Sequence, residues 1–139
     1  MNLIFLSNFY NHHQEPLCCE LAAQSGVSFR FIACESIPPE RRAMWGEITE
    51  LPDFVVTPRT SEEWAAASHD ILAADAVIVG AAPQRLLKER LRAGKLILRY
   101  QERPLKNGIE PVKFLPRMLR WHRWNPPKKP VYLLCASAY

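Results

Sequence analysis

The sequence predicts an α/β fold, a Rossmann-like three-layer α/β/α domain around a mostly parallel sheet. Three observations lead there. Apolar runs of strand length alternate with helix-length segments along the whole chain, the pattern of successive βαβ units. Runs such as Ala76-Val77-Ile78-Val79 are strongly apolar, as strands covered by helices on both faces must be. The 139 residues, 48% hydrophobic and 23% charged, have the size and composition of one domain with one core.

Each element follows from local chemistry. Asn2 to Leu6 reads as a buried first strand. It is too short for a secretory leader and has neither the basic start nor the small-residue cleavage site of one. Glu15 to Gln24 places Leu17, Leu21 and Ala22 at helical spacing, with Pro16 suited to a first turn and Gly26 to a stop. Val27 to Ala33 forms a second strand with Phe29 and Phe31 on one face. Pro38-Pro39 breaks the pattern, Glu40 to Trp45 reads as a short helix, and Phe54-Val55-Val56 as a short third strand. Thr60 with Glu63 has the form of a capping box opening a helix from Ser61 to about Ala73.

Asp75 to Gly80 is the next strand, and Pro83 starts a helix running to Arg92 and ending at Gly94. Lys95 to Tyr100 follows as a fifth strand. Lys113 to Trp124 is a helix with Pro116 in its first turn, then a Pro-rich basic break from Asn125 to Pro130, then a last strand from Val131 to Cys135. The final Ala136-Ser137-Ala138-Tyr139 follows that strand with no closing helix. A parallel strand needs cover on both faces, so residues 1–139 are expected to be the first domain of a longer protein.

Several function classes are disfavoured. No run of about 18 apolar residues exists to span a membrane. Cys18, Cys19, Cys34 and Cys135 lie in apolar stretches without metal-ligand spacing, so they read as reduced, buried thiols, with no metal site and no disulfide framework. There is no G-x-G-x-x-G after the first strand and no G-x-x-x-x-G-K-[ST], which argues against a dinucleotide or P-loop enzyme. The net charge of +4 hides an asymmetry, with 4 basic against 11 acidic residues over 1–84 and 14 against 3 over 85–139. The second half must meet something anionic, compensate the first half, or both.

In an open parallel sheet, ligands bind beyond the carboxyl ends of the strands. After the first strand stands "SNFYNHHQEPL", with His12 and His13 just before a helix N-terminus. An imidazole there can serve as general base, and the helix end favours a bound anion; alternatively Asn11 and His12 only shape a turn and cap the helix. Gly80-Ala81-Ala82-Pro83 is a small-residue turn whose backbone could approach a ligand closely, or simply a tight strand-to-helix turn. In "RYQERPLK", Arg99, Arg103 and Lys106 surround Glu102, a set suited to phosphate or sugar hydroxyls or to a solvated ion-pair network. Between 113 and 129, Lys113, Arg117, Arg120, Arg123, Lys128 and Lys129 interleave with Phe114, Met118, Trp121 and Trp124, without an acid. That composition fits an anionic membrane surface, nucleic acid, or a helix packing its aromatic side on the sheet.

The segments "LIFLSNFYNHHQEPL", "FRFIA", "ADAVIVGAAP", "LILRYQERPLK" and "YLLCASAY" together resemble the N-terminal domain of bacterial GT-B glycosyltransferases, of the family 4 kind found in polysaccharide biosynthesis. The resemblance implies two Rossmann-like domains facing a cleft, of which the missing C-terminal one holds most contacts to a nucleotide-sugar donor. It implies that this domain binds a saccharide or lipid-linked acceptor at the cytoplasmic face of the membrane, with no cofactor of its own. Many members carry a Gly-rich turn after strand one; this chain has Asn11-His12-His13-Gln14 instead. On that resemblance, His13 is the expected catalytic contact, supported by His12 and Gln14. Glu102, Arg103 and Lys106 are expected to bind acceptor or sugar phosphate, and Arg117, Arg120, Trp121 and Trp124 to meet an anionic membrane. The rival readings are a flavodoxin-like or regulatory binding module and a basic nucleic-acid binder; no nucleic-acid partner is expected under the first.

Overall fold

A computed structural model describes residues 1–41, 51–101 and 111–135. In chain order the elements are β1 (Asn2–Ser7), α1 (Glu15–Ala23), β2 (Ser28–Ala33), β3 (Val55–Val56), α2 (Ser61–Ala73), β4 (Ala76–Val79), a 3-10 turn (Gln84–Leu87) leading into α3 (Lys88–Ala93), β5 (Leu96–Gln101), α4 (Pro111–Trp124) and β6 (Val131–Cys135). Residues 39–41 are helical, and the rest of the helix expected over 40–45 lies outside the described residues.

All strand pairings are parallel, in the order β3-β2-β1-β4-β5-β6. This is the Rossmann-like order, and it reverses direction between β1 and β4. β1 lies near the middle and is buried on both faces. Ile4 and Leu6 join Ile32, Val77, Val79 and Ile97 under α2, α3 and Trp124. Leu3 and Phe5 join Phe31, Ala33 and Ile78 under α1 on the other side. Two covered faces explain why the strand sequences are continuous apolar runs rather than alternating ones.

The α1 side is aromatic. Phe5 meets Phe31 at 5.1 Å and Tyr100 at 5.4 Å between ring centroids, and Tyr10 meets Phe31 edge-on at 5.1 Å. Contacts of this kind add about 0.5–1.5 kcal/mol each beyond the area they bury. Phe29 and Phe31 do share a face, through Phe54.

Helix ends follow the local signals closely. The capping box at α2 is complete. Thr60 Oγ1 accepts from the Glu63 N–H at 3.1 Å, and the Glu63 carboxylate accepts from the Thr60 N–H at 3.0 Å and the Arg59 N–H at 2.5 Å. Gly94 ends α3 at φ 66°, a left-handed position that costs a residue with Cβ about 1–2 kcal/mol. Two boundaries differ from expectation. Pro83 precedes a 3-10 turn rather than the α-helix itself. α4 begins at Pro111, which puts Pro116 inside the helix instead of in its first turn; an α-helix can carry such a proline where the lost N–H bond and the ring clash are offset elsewhere.

Arg90, on α3, is 1% exposed. Its guanidinium donates to the carbonyls of Ile71 (2.8 Å), Ala74 (2.8 Å), Asp75 (3.0 Å) and Leu96 (2.8 Å). The last carbonyls of an α-helix have no partner within the helix. Arg90 supplies one for the end of α2, and ties it to the start of β5.

Candidate functional site

The reversal between β1 and β4 sets the loops after these two strands side by side at the carboxyl edge of the sheet. Gly80 N–H donates to the Leu6 carbonyl at 2.8 Å. A Cβ on Gly80 would stand 2.7 Å from Ser7 Oγ and 3.3 Å from Ser7 Cβ, so glycine here is what lets the β4 turn lie against β1. The small-residue turn read from the sequence is occupied by a neighbouring strand.

Asn11 organises the β1–α1 loop. Its carbonyl accepts from the Gln14 and Glu15 N–H groups at 3.0 and 3.2 Å, and its Oδ1 accepts from the His13 N–H at 3.0 Å. This is the turn-shaping role expected of Asn11. The capping half of that expectation does not hold, since the residue before α1 is Gln14 and no side chain caps the helix. Gln14 is buried; its Nε2 donates to Ser7 Oγ at 3.3 Å and its Oε1 accepts from Asn11 Nδ2 at 3.2 Å. The Gln14 amide is therefore committed to holding the loop. His12 and His13 are both exposed, their rings 3.9 Å apart between centroids and tilted by 44°.

Buried groups surround this loop on the protein side. Burial first, then the neighbouring thiols and Glu15, keep the Tyr10 phenol well above its ordinary pKa. Burial pushes the Cys18 and Cys34 thiols up to about 12, which leaves them protonated and unreactive. Cys19 departs from the expectation of buried thiols, because it lies on the outer side of α1 and is exposed. No group of three or more potential ligands among the described residues could hold a metal ion.

A second feature lies further along the same edge. Arg99, in β5, is 4% exposed, not part of a solvated ion-pair network. Its Nε donates to Asn125 Oδ1 at 2.9 Å, one Nη to Gln84 Oε1 at 2.7 Å, and the other Nη to the Trp124 carbonyl at 2.8 Å. Desolvation lowers its pKa to about 10, so it remains a cation at neutral pH. A cavity of about 200 Å³ opens beside it, lined also by Arg117, Arg120, Trp121 and Trp124. Sequence reasoning grouped Arg99 with its chain neighbours; it missed Gln84 and Asn125, which reach it from 15 and 26 residues away. An arginine in the middle of the apolar run "LILRY" was the signal available. Glu102, Arg103 and Lys106 lie outside the described residues.

The basic helix α4 turns its two Trp toward the protein, in the manner of a helix packing its aromatic side on the sheet, although Phe114 is exposed. Trp124 packs on the core below α2 and α3, and Trp121 is half-buried over the cavity. The apolar side faces outward, with Leu115 64%, Leu119 63% and Phe114 37% exposed. Of the four residues expected at a membrane, Arg117 and Arg120 are exposed while the two Trp face the protein. No helix among the described residues is long and apolar enough to cross a membrane.

Compared with protein-family models, with curated proteins and with solved structures, the chain matches none.

Proposed function

We propose that this domain is the acceptor-binding half of a glycosyltransferase of the GT-B kind, facing a second Rossmann-like domain that carries the nucleotide-sugar donor. The observation that supports it most is the exposed His12–His13 pair at the carboxyl end of β1, beside the reversal of strand order. That is where open α/β sheets place ligands, and the Asn11–Gln14–Ser7 hydrogen bonds hold the pair there. The imidazole of His13 accepts a hydrogen bond from the acceptor hydroxyl and orients it toward the sugar carbon, as general base or as positioning group. His12 lies against it, and Gln14 acts through the loop rather than on substrate. Glu102, Arg103 and Lys106, which follow β5 in the sequence, would contact the acceptor or its phosphate.

The same reading places the domain peripherally on an anionic membrane at its cytoplasmic side, where a lipid-linked acceptor would be. Leu115 and Leu119 project outward from α4, with Arg120 and Arg123 exposed on the same helix. Apolar residues entering the headgroup layer with arginines beside them are the usual arrangement for such contact. The two Trp are not needed for it.

The test is sugar transfer by the protein expressed from its complete native reading frame, with His13→Ala as the comparison. Because His13 is exposed, the variant is expected to keep its melting temperature. Removing a positioned acid–base group costs about 100-fold or more in turnover. Unchanged turnover removes His13 from the site. Failure of the parent protein to release nucleotide from any nucleotide-sugar removes the transferase reading.

A further inference from the structure

Among the described residues, the Tyr10 hydroxyl is the buried side-chain group that makes no hydrogen bond. Tyr10 is 2% exposed, and its ring stands edge-on to Phe31 and Phe54, which fix its direction. Burial, then Cys19, Glu15 and Cys18, keep the phenol protonated, so it is a donor without an acceptor. Buried hydroxyls normally find one. What this hydroxyl meets is the sulfur of Cys19, on α1, which lies close enough to act on the phenol but outside hydrogen-bond geometry. A thiol sulfur is in any case a weak acceptor. Cys19 is itself exposed, whereas Cys18 is buried and Cys34 is partly covered. Cys19 thus borders both solvent and the sealed hydroxyl.

We infer that Cys19 is a site of reversible oxidation, and that the Tyr10 hydroxyl holds the resulting sulfenic acid by donating to its oxygen. The hydroxyl is sealed from bulk water, so a soluble ligand does not reach it; one oxygen added to the neighbouring sulfur does. Hydrogen peroxide supplies that oxygen. The Cys19 sulfur attacks one peroxide oxygen, an S–O bond forms and the O–O bond breaks. The departing hydroxide takes the thiol proton and leaves as water, the sulfur losing the two electrons that the peroxide gains. The usual next step is condensation with a second thiol. Burial pushes the Cys18 and Cys34 thiols up to about 12, which leaves them protonated and poor nucleophiles. Cys18 has a geometric bar as well, because consecutive Cα atoms are about 3.8 Å apart, short of the roughly 4.4 Å that a disulfide requires. The sulfenic acid therefore persists beside Tyr10. This site does not depend on the transferase reading, and its test involves no sugar transfer.

The test treats the reduced full chain with hydrogen peroxide, removes the excess with catalase, and adds dimedone after increasing delays, with peptide mass spectrometry to locate the adduct. The adduct is expected on Cys19, and Tyr10→Phe is expected to shorten the lifetime of the trappable sulfenic acid at least about fivefold. Reduced Tyr10→Phe is expected to melt no lower than the parent, since it deletes only an unpartnered hydroxyl. A tyrosine that served packing alone would leave the lifetime unchanged. Should that variant not fold, melting of the oxidised protein carries the test. Peroxide is expected to raise the Tm of the parent, as the hydroxyl gains its acceptor, and not that of Cys19→Ser treated alike. Absence of a dimedone adduct at Cys19, an equal lifetime in Tyr10→Phe, or a parent Tm that peroxide does not raise relative to Cys19→Ser overturns the inference.

Discussion

Replacing Arg90 with methionine keeps an unbranched side chain on α3 and removes the hydrogen bonds to Ile71, Ala74, Asp75 and Leu96. The bonds to Ile71 and Ala74 are buried, whereas those to Asp75 and Leu96 are partly open to water. Only the first two carbonyls therefore lose every partner, at about 1–3 kcal/mol each. Part of this is offset, since a buried guanidinium carries its own desolvation cost, the cause that lowers the Arg90 pKa. The net loss is expected near about 3 kcal/mol. For a chain of this size that is a fall in Tm of roughly 10 °C. Thermal melting by circular dichroism measures it, with urea unfolding to verify that the m-value is unchanged. Arg90→Lys, a point charge that cannot reach four carbonyls at once, should fall between. A Tm within about 2 °C of the parent for Arg90→Met would refute the argument that these carbonyls depend on Arg90.

Gly80→Ala puts a Cβ 2.7 Å from Ser7 Oγ and should cost about 1–3 kcal/mol. Ser7→Ala relieves that contact, so the double variant should lose clearly less than the sum of the singles, and additivity in urea unfolding would contradict the geometry. The Glu63 carboxylate is held below its ordinary pKa by the Arg59 and Thr60 N–H groups. A depressed folded pKa gives stability that is present above the unfolded carboxylate range and lost as pH falls through the folded value. Relative to Glu63→Gln, the parent should therefore lose Tm as pH drops from about 6 to about 3; a difference that does not vary with pH would count against the box carrying a charge.

Legibility in the sequence followed the range of the physics. The capping box of α2, the glycine after α3 and the burial of β1 and β4 on both faces depend on residues a few positions apart, and they appear where the sequence placed them. The position of His12 and His13 was legible too, because a strand followed by a helix in a parallel sheet has its connecting loop at the carboxyl edge. Pro116 misled the start of α4 because proline favours a first turn without requiring one. The roles of Gln14 and Arg99 could not be read, since whether a polar side chain meets solvent or protein depends on what packs above it.

The sequence by itself determined the elements, their parallel pairing and the edge of the sheet at which ligands are expected. Strand periodicity, turn chemistry and helix caps are local and leave few topologies open. Only the tertiary structure decided which side of each element faces inward. The pattern of α4 shows an apolar side and a basic side, and says nothing of their direction. In the fold, Leu115 and Leu119 face outward, while Trp124 packs on the core and Arg117 lines the cavity beside Arg99. A helix on the rim of a sheet is placed by a few long-range contacts, here the bonds from Arg99 to Trp124 and Asn125, and those contacts, not its own periodicity, set its rotation.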